Sequence, residues 1–120
     1  VSGAQDSDEA INQGWFSVRC VFRYGDDAPF VYEERFTVWR AVSFEAAVAL
    51  AEAEAEAAEY ANEAGRSYLG FAQAFRMFDD LGHGAEVYSL MRDSELSSDA
   101  YLTAFFDTGD ERQGSLNESV

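Results

Sequence analysis

A chain of 120 residues, 48% apolar and 15% aromatic, carries enough material for one real core, so a single domain is the expectation. Its charge is lopsided: 23 Asp and Glu stand against 8 basic residues, for a formal charge of -15, and every basic residue is Arg. A field of that sign repels phosphate backbones and anionic lipid, which excludes nucleic acid and membrane as expected partners and points to protein, basic protein above all.

The first fourteen residues and those from Glu111 to Val120 are rich in Ser, Asp, Glu, Asn, Gln and Gly, and read as disordered acidic tails on either side of a domain over 15–110. The leading stretch lacks the basic and then apolar pattern of a secretory signal. No apolar run reaches the roughly 20 residues needed to span a bilayer. Cys20 stands alone, so neither an intramolecular disulfide nor a thiolate metal cluster can form, and the expected compartment is the cytoplasm.

Trp15 to Tyr24 alternates Phe16, Val18, Cys20, Phe22 and Tyr24 against Ser17, Arg19 and Arg23, the pattern of a half-buried strand. Gly25 to Pro29 is a turn cluster, and Val31 to Val42 reads as the second strand of a hairpin, with Glu34, Phe36, Val38 and Arg40 on one face and Arg35, Thr37 and Trp39 on the other. Ser43 offers a cap to an Ala/Glu helix running to Ala64, ahead of Gly65. Helical spacing puts Glu45, Glu52, Glu56, Glu59 and Glu63 on one stripe, with Ala47, Leu50, Ala51, Ala57, Ala58 and Ala61 roughly opposite. Glu54 projects from the Ala side, where burial demands an Arg from the sheet beside it.

Tyr68 to Phe78 reads as a third strand, Asp79 to Gly84 as a turn, Ala85 to Arg92 as a fourth strand, and Asp99 to Phe106 as a short helix capped by Ser97 or Ser98. The order ββαββα implies an α+β fold: a four-stranded, mostly antiparallel sheet with its helices on one face. Trp15, Val21, Trp39, Tyr68 and Phe78 are expected on or near the opposite face, and exposed aromatics in that number mark a contact surface, such as that of a homodimer.

Little in the chain suggests catalysis. His83, between two glycines, reads as an exposed turn residue rather than a proton shuttle or metal ligand. Asp26-Asp27 and Asp79-Asp80 lie at turns, where Asp serves local hydrogen bonding, and Glu33 and Glu34 point to opposite faces of a strand. Cys20 falls on the apolar side of its strand, the place of an inert thiol. No cofactor is expected. The expected contact residues are Glu52, Glu56, Glu59 and Glu63, as a negative ridge, with Trp15 and Trp39 on the sheet.

Tyr32-Glu33-Glu34-Arg35, Trp39-Arg40-Ala41, Ser43-Phe44-Glu45-Ala46-Ala47, Tyr68-Leu69-Gly70-Phe71, Glu86-Val87-Tyr88-Ser89 and Phe105-Phe106-Asp107-Thr108-Gly109 together resemble a bacterial family of small uncharacterised proteins, domain of unknown function 4288, over about Trp15 to Arg112. The resemblance implies a bacterial, cytoplasmic protein and transfers no functional residue. The leading expectation is a non-enzymatic interaction or accessory module; the alternative is an immunity or inhibitor protein that covers the basic surface of a nuclease-type toxin.

Overall fold

A computed structural model describes residues 13–57, 65–106 and 108–112. The chain divides into two compact units, Val1–Ser89 and Leu90–Val120. The first holds β1 (Gly14–Tyr24), β2 (Val31–Ala41), α1 (Phe44–Ala55) and β3 (Arg66–Arg76); the second holds α2 (Ser98–Phe105).

The α+β class stands, with a sheet of three antiparallel strands in the order β2-β1-β3. Residues 85–92, expected as a fourth strand, take no strand conformation. Both outer strands are therefore edges within the described residues.

Alternation along β1 decides which face is the core. Phe16, Val18 and Phe22 are fully buried and Cys20 nearly so. They meet Ala47, Ala51 and Ala55, which recur every fourth residue along one side of α1. Alanine is the right size there: a methyl group lets the helix axis approach the sheet, and each buried Phe or Val contributes about 1.5–3 kcal/mol. Ser43 caps α1 as expected, its hydroxyl accepting from the Ala46 N–H at 3.1 Å.

α1 ends sooner than its composition suggests. Its last regular residue is Ala55; the Ala57 N–H bonds back to the Glu54 carbonyl in a tighter turn. Glu52, Glu54 and Glu56 crowd the negative end of the helix dipole, and no basic residue occupies its last turn. The remainder of the expected helix, 58–64, lies outside the described residues.

The β1–β2 register is unbroken over eleven pairs, from Gly14 opposite Ala41 to Tyr24 opposite Val31. The β1–β3 register is not. Leu69, Gly70 and Phe71 stand opposite Val21 alone, between the pairs Cys20–Ala72 and Phe22–Tyr68. Gly70 takes φ +78 at this bulge, a conformation that costs a side chain dearly.

In the second unit Ser97, one of the two expected caps, accepts from the Ala100 N–H at 3.3 Å. The Arg92 guanidinium lies 4.2 Å from the Phe105 ring centre, and its Nη1 donates to the Tyr101 hydroxyl at 2.8 Å.

Because Ala51 is buried in the α1–sheet contact, Ala51→Leu should overpack it and lower stability by about 1–3 kcal/mol. Urea denaturation of the two proteins measures the difference; equal midpoints and slopes would contradict this helix placement.

Candidate functional site

The two faces of the sheet carry different chemistry. On the α1 face, residues opposite the buried row of β1 are Trp39, Thr37, Arg35 and Glu33 from β2, and Ala74, Ala72 and Tyr68 from β3. Two glutamates flank the alanine line of α1, one on each side. Glu54 reaches β2 and accepts from both terminal nitrogens of the Arg35 guanidinium, at 2.6 and 2.9 Å, so the expected arginine is there. Glu52 reaches β3 and accepts from the Tyr68 hydroxyl at 2.6 Å.

This removes Glu52 from the expected acidic ridge. Helical phase explains it: Glu52 is only 100° around from Ala51, close enough for its carboxylate to fold toward the sheet. Leu50, on the other side of Ala51, is exposed instead of apolar-facing. Of the ridge, Glu56 is exposed, as is Glu45 farther along the same stripe, while Glu59 and Glu63 lie outside the described residues.

The tryptophans separate as well. Trp39, expected on the outer face, lies opposite Phe16 and packs against the core, its indole N–H donating to the Thr37 hydroxyl at 2.7 Å. Tyr68 is likewise inward. Trp15 and Val21 are on the outer face as expected, Trp15 opposite Arg40, whose guanidinium is 5.9 Å from its ring centre, and Val21 opposite Glu34. Arg35 and Thr37 made the inner face of β2 look like the wet one, but their polar groups are satisfied locally. Phe78 lies past the end of β3, almost wholly exposed.

The outer face is partly covered by this chain's own Tyr88. Its ring packs on Phe36 and Phe75, with centroids 4.8 and 5.8 Å apart, and its hydroxyl donates to the Gln73 Oε1 at 2.7 Å. Arg19, at the middle of β1, lies 5.8 Å from the Phe36 ring centre and 5.5 Å from that of Tyr88. It donates to the Gln73 Oε1 at 2.5 Å and to the Glu34 carboxylate at 3.1 Å. The irregular segment after β3 is thus pinned to the sheet by one aromatic side chain. Sequence reasoning missed this cluster because Tyr88 read as part of a strand; the available signal was Arg19, a charge at the centre of an aromatic strand.

Two groups on the α1 face, Cys20 and Tyr68, are held toward their neutral forms. Burial pushes the Cys20 thiol up, opposed in part by its hydrogen bond with Tyr68. Burial also holds the Tyr68 phenol far above its usual range, and the hydrogen bond to Glu52 adds to this. Neither is a nucleophile or base at neutral pH. His83 is exposed in its turn, and the Asp79 carboxylate accepts from the Glu86 N–H at 3.3 Å, as a turn Asp does.

Apart from Arg112, every arginine lies against a ring or a carboxylate: Arg23 is 4.5 Å from the Phe30 ring centre, Arg66 is 3.7 Å from the Glu33 carboxylate, and Arg76 is 5.5 Å from the Phe16 ring centre. The unbalanced acids are left to the surface. Among the described residues no helix is long and apolar enough to cross a membrane, and no three of His, Cys, Asp and Glu gather as metal ligands. Comparison of the chain with family models, curated proteins and solved structures finds no match.

Two measurements test these contacts. Tyr88→Phe should cost about 1 kcal/mol through the lost hydrogen bond to Gln73, and Tyr88→Ala more, since the rings of Phe36 and Phe75 then lose their cover. Urea titration reads both, and no difference between Tyr88→Ala and wild type would show that the segment is not pinned. The second concerns pH. The raised pKa values mean that the folded chain holds the Cys20 and Tyr68 protons more tightly than the unfolded chain. That contribution is complete below the ordinary values of 9.0 and 10.0 and is lost as pH rises above them. Stability should fall on the alkaline side, and Tyr68→Phe, which leaves Glu52 and Arg35–Glu54 in place, should make the fall shallower. Parallel alkaline slopes for the two proteins would refute this.

Proposed function

We propose that this chain is a non-enzymatic interaction module, cytoplasmic and bacterial, that binds another polypeptide through the β2 side of its sheet. The carrying observation is the state of β2: an unbroken eleven-residue edge strand whose outer row presents Tyr32 and Phe36, 58% and 45% exposed, beside an Arg40 with no carboxylate in ion-pair reach among the described residues. Open edges of that length are templates for another chain. With the fourth strand not formed, no described strand pairs with that edge, and Tyr88 covers only part of the face beside it. The bacterial and cytoplasmic setting rests on the family resemblance and the single cysteine.

The second reading, an immunity or inhibitor protein for a basic toxin, is favoured by the exposed Glu45 and Glu56 on α1 and the charge of -15. Such charges mainly raise association rate, and at a screening length of about 10 Å in 0.1 M salt they lose range quickly.

Affinity capture from the native host, followed by binding kinetics at two salt concentrations, separates the two. The first reading expects a partner whose complex is weakened by Tyr32→Ser and Arg40→Glu. The second expects a basic partner whose on-rate falls with salt and with Glu56→Arg. Partners retained equally by all three variants would overturn both.

A further inference from the structure

We infer that the occupant of the β2 edge is a second copy of this chain, paired antiparallel about Thr37 so that the two sheets join into one of six strands. This deepens the reading above and rests on it. The argument begins with the two edges. The β3 edge is interrupted by the bulge at Gly70, and bulges bend a strand away from regular pairing. The β2 edge keeps register with β1 throughout. It is the one suited to accept a strand.

The side chains on β2 then specify which strand. Residues two apart share a face, so the outer row reads Tyr32, Glu34, Phe36, Val38, Arg40, continuing to Val42 just past the strand end. A two-fold axis through Thr37 reverses that row onto itself. Glu34 then meets Arg40 of the other copy, Phe36 meets Val38, and Tyr32 meets Val42. Every polar position finds its opposite charge and every apolar position an apolar one. On the inner row the same axis brings Arg35 opposite Trp39 and Glu33 opposite Ala41.

Neighbouring registers lack this match. Centring on Phe36 places Glu34 against Val38 and Tyr32 against Arg40. An axis at Val38 puts Phe36 against Arg40 and Glu34 against Val42, and one at Arg35 sets that arginine against itself. Directly opposed charges contribute favourably and like charges unfavourably, so the pattern selects one register. The same charges protect the edge from other strands, which is how edge charges ordinarily act.

Glu34 is 60% exposed at its side chain and holds Arg19 through one oxygen only, so its other oxygen is open to a partner's Arg40. Repulsion between two chains of charge -15 opposes association, but it acts at range and is screened by salt. Self-association is therefore expected to strengthen with moderate salt.

Sedimentation equilibrium provides the test, with circular dichroism to verify that each variant is folded. The wild type should reach twice the chain mass of 13.3 kDa. Glu34→Arg places arginine against Arg40, and Arg40→Glu places glutamate against Glu34; each should weaken self-association about tenfold or more. Mixing these two variants restores both opposed pairs, so a 1:1 mixture should form a heterodimer that neither forms alone. The chain carrying both changes should dimerise like wild type. A wild type that stays monomeric at its highest soluble concentration overturns the inference. So does a dimer indifferent to all these changes, which would lie on another surface. A monomeric wild type that still captures a β2-dependent host partner overturns this inference alone and leaves the interaction-module reading standing.

Discussion

The close approach of α1 to the central strand is the contact on which the rest of this structure depends. Phe16, Val18 and Phe22 need a covering surface without bulk, and Ala47, Ala51 and Ala55 supply it. Once that line is fixed, the helix has no freedom of rotation left, and the side chains on either flank are assigned to strands: Glu54 to Arg35 on β2, Glu52 to Tyr68 on β3. A larger residue on the line would part both polar contacts along with the core. The packing and the flanking hydrogen bonds are thus one arrangement, with the apolar part setting the distance and the polar part the angle.

The arginines play a comparable part on the outer face. Arg19 is held between two rings and donates to Gln73 and Glu34, so a charge at the centre of β1 becomes the point where the sheet and the segment after it meet. Guanidinium suits this use because it is planar and weakly hydrated; an ammonium would stack poorly and retain its water. The absence of lysine from the chain is consistent with basic residues that serve as internal ties.

Much of this was legible in the sequence. Strict alternation from Phe16 to Tyr24 marked β1 and its inward face, Ser43 marked the start of α1, and the position of Glu54 among alanines called for the arginine it has. What was not legible depended on partners in space. Trp39 reads as outward because Arg35 and Thr37 share its face, and only the folded chain shows how those polar groups are satisfied, Arg35 by Glu54 of α1 and Thr37 by the Trp39 indole itself. Glu52 looked like a member of a solvated stripe because periodicity reports angle and not the reach of a flexible carboxylate. Tyr88 sits in a run of strand-like composition, but its ring is engaged on the sheet face instead of in a ladder. The break at Gly70 was invisible for the same reason: a register shift belongs to two strands at once.

That break has a bearing on how far assembly can go. A sheet with two competent edges adds copies without limit, since every chain that joins presents a fresh edge, and the product is a fibre. With β3 interrupted at Gly70, a copy joined through β2 in the inferred pairing would turn a side with broken register outward. Growth would then stop at the symmetric pair. In that arrangement a single glycine in a left-handed conformation, far from the joined edges, would separate a closed assembly from an open polymer.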